Sequence, residues 1–340
     1  MTDINTRRIV MFGKSGSGKS SLANTIFGNP IFKVNHSSDS KSKFSEAQTR
    51  EVNGQNLTII DTPGIFNTDR STDEVEAEIF SCYTQCSPGP HAFLFVLLVE
   101  KFTEQEQAIV DQIKLHFGDN VFRYTTVVFT HGDQLPEGME IREFVSQSNG
   151  LSSLVQKCGN RCHVIDNKYW KNTEPKDYRS NTFQMNAILS SIEMTFNQNN
   201  KGHFTNEMLA NVELQILKEQ NRIHKSEGLS LEECRQKAKE CVLQNYLKRQ
   251  RQKRYLRYFL IGVGLSFASY WLITKTLTFF RDKPVSGPVP GMRDALPPSM
   301  VEVVKEAVAP INSTLGSIIE TIQAVLGTRT LAPSNETQVM

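Results

Sequence analysis

From residue 7 to about residue 200, short apolar runs alternate with stretches in which apolar side chains recur every three or four positions. The runs Arg8–Phe12, Leu57–Ile60, His91–Val99, Tyr124–Thr130 and Cys162–Ile165 predict strands. Phe93 to Val99 is apolar without a break, as expected of a strand buried on both faces of a parallel sheet covered by helices. Thr103 and Glu106 have capping-box spacing, in which hydroxyl and carboxylate each satisfy an amide that the helix leaves open. Ile109, Ile113 and Phe117 follow at four-residue spacing, and Gly118 closes the helix. Strands alternating with helices in this rhythm predict an α/β, three-layer domain around a mixed, mostly parallel sheet, over residues 7–203.

Beyond it the strand pattern stops. Leu209, Val212, Ile216 and Ile223 recur at helical intervals, and Ser226 to Gly228 break that helix. A second capping box, Ser230 with Glu233, opens another helix carrying Leu231, Cys234, Ala238 and Cys241. Four apolar positions per helix are too few for a coiled coil. Residues 204–256 are therefore expected to pack back on the first domain, with pairing to another chain as the alternative.

Residues 258–274 carry no charge, and with Lys275 able to snorkel the stretch to residue 280 is 23 residues long. A bilayer-spanning helix needs about 20. Tyr255, Tyr258, Tyr270 and Trp271 suit a membrane interface, and Lys248, Arg249, Arg251, Lys253, Arg254 and Arg257 precede the stretch with no acidic residue among them. The expectation is one transmembrane helix over 258–280, its N-terminal side in the cytosol and its basic flank suited to anionic headgroups. Residues 281–340 read as a Pro/Gly linker from Pro284 to Pro298 and an amphipathic, partly helical tail from Met300 to Leu326, interrupted at Pro310. The sequons at Asn312 and Asn335 would count only on a lumenal tail.

Composition narrows the picture without redirecting it. Hydrophobic residues at 39% and charged residues at 22% fit a globular chain and exclude a collagen-like or wholly disordered one. Thirty-eight basic residues against 36 acidic ones leave a net charge of +2, too small to draw the chain to nucleic acid, and no nucleic-acid partner is expected. Met1 to Arg8 hold no apolar run, so no cleavable secretory signal is expected. Six cysteines in 340 residues are too sparse for a disulfide scaffold; Cys82 with Cys86 and Cys158 with Cys162 lack zinc-knuckle spacing, so buried thiols are expected.

The chemistry sits near the N-terminus. Gly13-Lys14-Ser15-Gly16-Ser17-Gly18-Lys19-Ser20 fits G-x-x-x-x-G-K-[ST] directly after a strand and before a helical stretch, the context that motif requires. Its glycines let successive amides point inward at a helix N-terminus and form an anion-binding nest. The expected phosphate-binding set is Gly13, Ser15, Gly16, Ser17, Gly18, Lys19, Ser20 and Ser21. Lys19 reaches β- and γ-phosphate oxygens, and the Ser20 hydroxyl ligates Mg²⁺.

This loop alone does not choose between adenine and guanine. Asp61-Thr62-Pro63-Gly64 follows a strand; the Asp61 carboxylate is placed to hold Mg²⁺ and the Gly64 amide to sense a γ-phosphate. Thr130-His131-Gly132-Asp133 stands where GTPases carry Asn/Thr-Lys-x-Asp. There an aspartate accepts two hydrogen bonds that guanine offers and adenine does not, and the His131 ring is placed to stack on the base. In this order behind the phosphate loop, the two motifs favour GTP over ATP.

The chain resembles the AIG1/GIMAP family of GTPases, relatives of septins and of the chloroplast import GTPases. The residues carrying the resemblance are the loop 13–20, Asp61 to Phe66, Gly89-Pro90-His91 with Ala92 to Val96, Phe129 to Leu135, and Cys158 to Asn167. The resemblance places Asn167 in a fifth motif touching guanine. For the first-switch residue that senses Mg²⁺ and γ-phosphate it leaves Thr49 as the candidate and Ser45 as the rival. It implies GTP/GDP and Mg²⁺ as cofactors and a scaffold of G domains, homo- or hetero-oligomeric, assembling on a membrane in an immune setting. Ile65 stands where Ras-like enzymes carry a water-orienting glutamine, so slow or partner-dependent hydrolysis is expected and no catalytic residue is assigned. Arg50 and Arg70 read as surface rather than as an arginine finger. The expected function is a membrane-anchored guanine-nucleotide switch that assembles in its GTP state; the alternative is a GTP-bound structural scaffold with negligible turnover.

Overall fold

The computed structural model describes residues 6–34, 44–62, 71–170, 174 and 176–281. In chain order they form β1 (Thr6–Phe12), α1 (Lys19–Phe27), β2 (Glu46–Val52), β3 (Gln55–Asp61), α2 (Thr72–Cys86), β4 (Ala92–Leu98), α3 (Glu104–Phe117), β5 (Thr125–Thr130), α4 (Ile141–Ser146), α5 (Asn149–Lys157), β6 (Cys162–Val164), α6 (Asn181–Gln198), α7 (Glu207–Glu227) and α8 (Leu231–Arg281). Six of these strands make one sheet in the order β2-β3-β1-β4-β5-β6, parallel throughout except for β2, which runs antiparallel to β3. This is an α/β fold, with the mixed, mostly parallel sheet that the apolar runs predict.

Alternation along the central strands builds the layers. Ile9 and Met11 of β1, with Ala92, Leu94 and Val96 of β4, face a cluster completed by Leu22, Ala23 and Ile26 of α1 and Ile188 and Ile192 of α6. Val10, Phe12, Phe93, Phe95 and Leu97 face the opposite way, against α2, α3, α5 and the helices that follow. Successive strand side chains point to opposite faces, so a strand covered on both sides must be apolar at every position. Each large side chain buried this way contributes about 1.5–3 kcal/mol.

The five expected strands are present, with ends shifted by one or two residues. β2 was not expected, because Glu46-Ala-Gln-Thr-Arg-Glu-Val52 has no apolar run. It is an edge strand, held by β3 on one side, and a two-residue turn at Asn53 (φ 52°) and Gly54 (φ 79°) fixes its register with Val52 opposite Gln55.

The Gly89-Pro90-His91 segment lies at the start of β4, the end of the sheet away from the phosphate loop. His91 Nδ1 accepts from the Arg8 amide at 2.9 Å, the Arg8 carbonyl accepts from the His91 amide at 2.8 Å, and Arg8 Nε donates to the Gly89 carbonyl at 2.7 Å. The box therefore staples β4 to β1. Burial, with Arg8, Arg7 and His203 nearby, pushes the His91 imidazole down to about 3, so the ring is neutral as that acceptor role requires.

Helix α3 carries the expected capping box: Glu106 Oε2 takes the Thr103 amide at 3.0 Å, and Gly118 ends the helix. The extension packs back, as expected. Leu209, Val212, Ile216 and Ile223 of α7 and Cys234, Ala238 and Val242 of α8 share one buried cluster with Phe80 and Tyr83 of α2. The Phe80 and Tyr246 rings stack with centroids 3.7 Å apart. Glu213 binds Arg235 at 2.8 Å and accepts from the Ser87 hydroxyl, and Lys239 Nζ donates to the Gln85 carbonyl at 2.9 Å. Leu231 stays exposed and Cys241 half-buried, so two of the expected apolar positions lie off that seam.

The expectation of a single-pass membrane protein is corrected by α8. That helix runs 51 residues without a break at 257, and no helix among the described residues is long and apolar enough to cross a membrane. Tyr258, Gly262, Gly264, Ser266, Ser269, Tyr270, Trp271 and Thr274 dilute the uncharged run, and Lys275 adds a charge before its end. The chain divides into two units between Val263 and Gly264. The expected linker and tail beyond residue 281, with both tail sequons, lie outside the described residues.

Candidate functional site

β1 ends at Phe12 and α1 begins at Lys19, leaving residues 13–18 to turn between them. Gly13 (φ 145°) lies so close to β4 that a Cβ there would sit 2.4 Å from the Val96 carbonyl oxygen. Gly18 (φ 86°) occupies the left-handed region at the helix N-cap, where a Cβ would press on Thr130 and Asn167. The N-cap residue is a glycine, which has no side chain to offer these amides, and a helix N-terminus of this kind favours an anion. Lys19 is buried, and its ammonium donates to the carbonyls of Gly13 at 3.0 Å and Lys14 at 2.9 Å.

The next turn of α1 meets the end of β3. The Ser20 hydroxyl donates to Asp61 Oδ2, while Asp61 Oδ1 is buried with no hydrogen-bond partner among the described residues. Burial pushes the Asp61 carboxyl up, with the Lys19 charge opposing it. Thr62 Oγ1 donates to the Met11 carbonyl at 2.6 Å and ties the following segment to β1. A hydroxyl beside a buried carboxylate oxygen in want of a partner is a hard-oxygen donor set that fits Mg²⁺, which keeps most of its waters and takes one or two protein ligands.

Thr49 is not part of this arrangement. The antiparallel register sets it opposite Thr58, three residues upstream of Asp61 and about 10 Å away along the strand. It is exposed, and its hydroxyl lies 2.8 Å from that of Thr58. Ser45 immediately precedes β2, whose Glu46 pairs with Asp61, and its hydroxyl is buried without a hydrogen-bond partner among the described residues. Arg50 is exposed on β2. Gly64, Ile65 and Arg70 lie outside the described residues.

On the other side of the loop, β5 ends at the buried Thr130, whose Oγ1 donates to the Ser17 carbonyl at 2.8 Å. His131 follows, exposed and in a left-handed conformation (φ 60°, ψ 50°). Gly132 packs flat on Trp170, where a Cβ would stand 2.5 Å from the ring, and its amide donates to the Ile165 carbonyl at 3.1 Å. Asp133 is exposed, with its amide 3.3 Å from Asp166 Oδ2. The buried Asp166 organises this corner: its Oδ1 takes the amides of Lys168 at 2.8 Å and Tyr169 at 2.5 Å. Burial pushes the Asp166 carboxyl up, but hydrogen bonds from Tyr169, Asp133 and Lys168 outweigh it and hold it below its ordinary value. The same carboxylate pushes the Asp133 carboxyl up, with burial adding to the shift. Asn167 Oδ1 accepts from the Thr25 hydroxyl of α1 at 3.0 Å.

The fold thus gathers Gly13, Gly16, Ser17, Gly18, Lys19, Ser20, Asp61, Asp133 and Asn167 at the carboxyl ends of β1, β3, β5 and β6, where open α/β sheets bind ligands. Sequence reasoning gave Thr130 no role beyond its place in the Thr130-His131-Gly132-Asp133 motif, and did not single out Asp166, Trp170 or Thr25. Asp166 stands directly before Asn167, but a lone aspartate after a strand carries no mark of its role.

The AIG1 family model matches residues 7–225. The chain belongs to the AIG1 family. The match runs from the second residue of β1 through all of the other strands to most of α7. Among its relatives, immune-associated nucleotide-binding protein 8 of Arabidopsis thaliana is 32% identical over 229 residues, covering 66% of this chain and 62% of that protein. GTPase IMAP family member 8 of Mus musculus is 27% identical over 165 residues, 47% of this chain and 24% of the relative. The chain thus spans about three fifths of the length of the first of these and a quarter of the second. Among solved structures, that of Toc33 from Arabidopsis thaliana in complex with GDP and Mg²⁺ is 20% identical, with a TM-score of 0.46 over 59% of this chain and 87% of that one.

Proposed function

We propose that this AIG1-family chain binds GTP and GDP with Mg²⁺ and acts as a slowly hydrolysing, nucleotide-dependent switch whose G domains self-associate in the GTP state. The observation that carries the reading is the Thr130–Ser17 hydrogen bond, which makes one unit of the phosphate loop and the loop bearing Asp133.

In this reading residues 7–203 are the nucleotide domain and 204–256 its helical extension. The amides of Gly13, Ser15, Gly16, Ser17 and Gly18, with Ser20 and Ser21 at the start of α1, cradle the phosphates, and Lys19 supplies the positive charge. Ser20 and Asp61 hold Mg²⁺, which when bound neutralises charge on the β- and γ-phosphates. Asp133 reads the guanine N1–H and exocyclic amine, His131 covers a face of the base, Asn167 closes the pocket, and Gly64 senses the γ-phosphate. The names of the relatives, nucleotide-binding proteins and GTPases, support this assignment.

Ile65 favours a second reading, a GTP-loaded scaffold with negligible turnover, because its side chain has no group to orient a water. Oligomer size with GDP, GTP and a non-hydrolysable analogue, measured beside phosphate release, separates the two. The switch grows with GTP and shrinks as phosphate appears; the scaffold stays assembled and releases none. A particle of one size in all three nucleotides contradicts both.

A further inference from the structure

The second residue of the phosphate loop carries a charge directed away from the loop's interior. Lys14 Nζ lies 2.5 Å from Glu100 Oε1 and 2.9 Å from Glu106 Oε1. Glu100 follows the end of β4. Glu106, with only 5% of its side chain exposed, sits in the first turn of α3. Its other oxygen, Oε2, takes the Thr103 amide and hydroxyl, so one carboxylate both caps α3 and holds the loop. Burial opposes the charge on Lys14, but the two carboxylates outweigh it and raise the ammonium above its ordinary value.

The backbone of the same residue faces inward. The Lys14 carbonyl accepts from Lys19 Nζ at 2.9 Å and from the Ser17 amide at 3.2 Å. The perch on which Lys19 rests is therefore fixed at its far side by an ion pair to α3. Gly13 meets the Val96 carbonyl on one flank of that perch, and Glu100 and Glu106 hold the other.

We propose that Lys14 is a positioning residue: pinned by Glu106 and secondarily by Glu100, it fixes the loop backbone and the carbonyl that sets Lys19, and touches no phosphate itself. The inference rests on reading residues 13–20 as the phosphate site. A lysine that bound phosphate directly would compete with these carboxylates, so removing them would tighten binding. A lysine that positions the loop loses its function when they are removed.

The test uses the full chain with Lys14→Ala, Lys14→Arg, Glu106→Gln and the Ala/Gln double variant. Glutamine at 106 keeps a capping oxygen for Thr103 and removes the ion pair. Two readouts are taken: calorimetry with Mg²⁺ and GDP or GTP, and amide exchange of residues 13–20 without nucleotide. Lys14→Ala and Glu106→Gln are each expected to weaken both nucleotides by about 10-fold, the double variant no further, and Lys14→Arg by no more than about 3-fold. Loop amides exchange faster in the first two, while those of β5 keep their protection. Unchanged or tighter binding by Glu106→Gln beside a loss in Lys14→Ala overturns the proposal. If the unaltered chain binds neither nucleotide, the reading of the site fails on its own; loop exchange then still decides, and equal protection in Lys14→Ala and the unaltered chain overturns the positioning role.

Discussion

Thr130 Oγ1 donates to the carbonyl of Ser17 at 2.8 Å, with the Leu97 carbonyl a second acceptor at 3.2 Å. One buried hydroxyl at the tip of β5 thus ties the strand that delivers Asp133 to the loop that ends at Lys19. Thr130→Val keeps the shape and removes the donor, leaving a buried carbonyl short of a partner. The expected cost is about 1–2 kcal/mol in urea unfolding, with a weakening of nucleotide binding beyond that of an apolar core substitution of equal cost. Binding at full strength in a destabilised variant would break the link.

His131 adopts φ 60° and ψ 50° without being glycine. A β-branched residue there meets its own backbone, whereas glycine does not. His131→Val is expected to lose about 1–2 kcal/mol and His131→Gly to stay within about 1 kcal/mol of the parent. Equal stability of the two variants in denaturant titrations would show that the left-handed geometry is not held in solution.

His91 predicts a direction in pH. Its folded-state value is pushed down to about 3 from an ordinary 6.5 by burial, with Arg8, Arg7 and His203 adding to it. Between those values the unfolded chain binds a proton that the folded chain refuses, so the stability His91 contributes is complete above about 6.5 and is lost as pH falls toward about 3. His91→Asn keeps an acceptor for the Arg8 amide and cannot titrate. The stability difference between parent and variant should move toward the variant on acidification from pH 6.5 to 4. A difference constant across that range contradicts the burial of a neutral ring.

Glu213 is the acceptor for Arg235 and for the Ser87 hydroxyl, with about a fifth of each charged side chain exposed. Glu213→Ala leaves a guanidinium and a hydroxyl facing a gap between α2 and α7. The partial exposure brings the expected loss to about 2 kcal/mol, below that of breaking a dry ion pair. Amide exchange should place the loosening in α7 and the first turns of α8; uniform loosening of the sheet instead would show that the clasp is not local.

What the sequence disclosed follows from how strongly burial constrains it. β4 is enclosed on both faces, so every position is apolar and the strand is plain from Phe93 onward. β2 has one neighbour and an exposed face, so its residues answer to solvent; its signal was the Asn53-Gly54 pair, which prescribes a two-residue turn between strands. Gly13, Gly18, Lys19 and Ser20 were legible because loop geometry and phosphate chemistry admit few residues. The place of Thr49 opposite Thr58 was not legible, because spacing before Asp61 does not reveal an antiparallel register, and register sets which hydroxyl nears the carboxylate. Asp166 and Lys14 act through partners 33 and 92 residues away, at Asp133 and Glu106, and no local pattern encodes such pairs. Residues 258–274 read as a span on the absence of charge, whereas the apolar strength a bilayer demands is diluted by glycine, serine and aromatic hydroxyls.

The central claim is that one exposed carboxylate, Asp133, selects the base. Calorimetry of the full chain with Mg²⁺ and GTP, ATP or xanthosine triphosphate, before and after Asp133→Asn, tests it most directly. The parent should prefer GTP over ATP by about 100-fold, the energy of two hydrogen bonds to a charged acceptor, and the variant should lose that preference while gaining xanthosine triphosphate. Equal affinity of the parent for GTP and ATP, or a variant that binds GTP as the parent does, would contradict it.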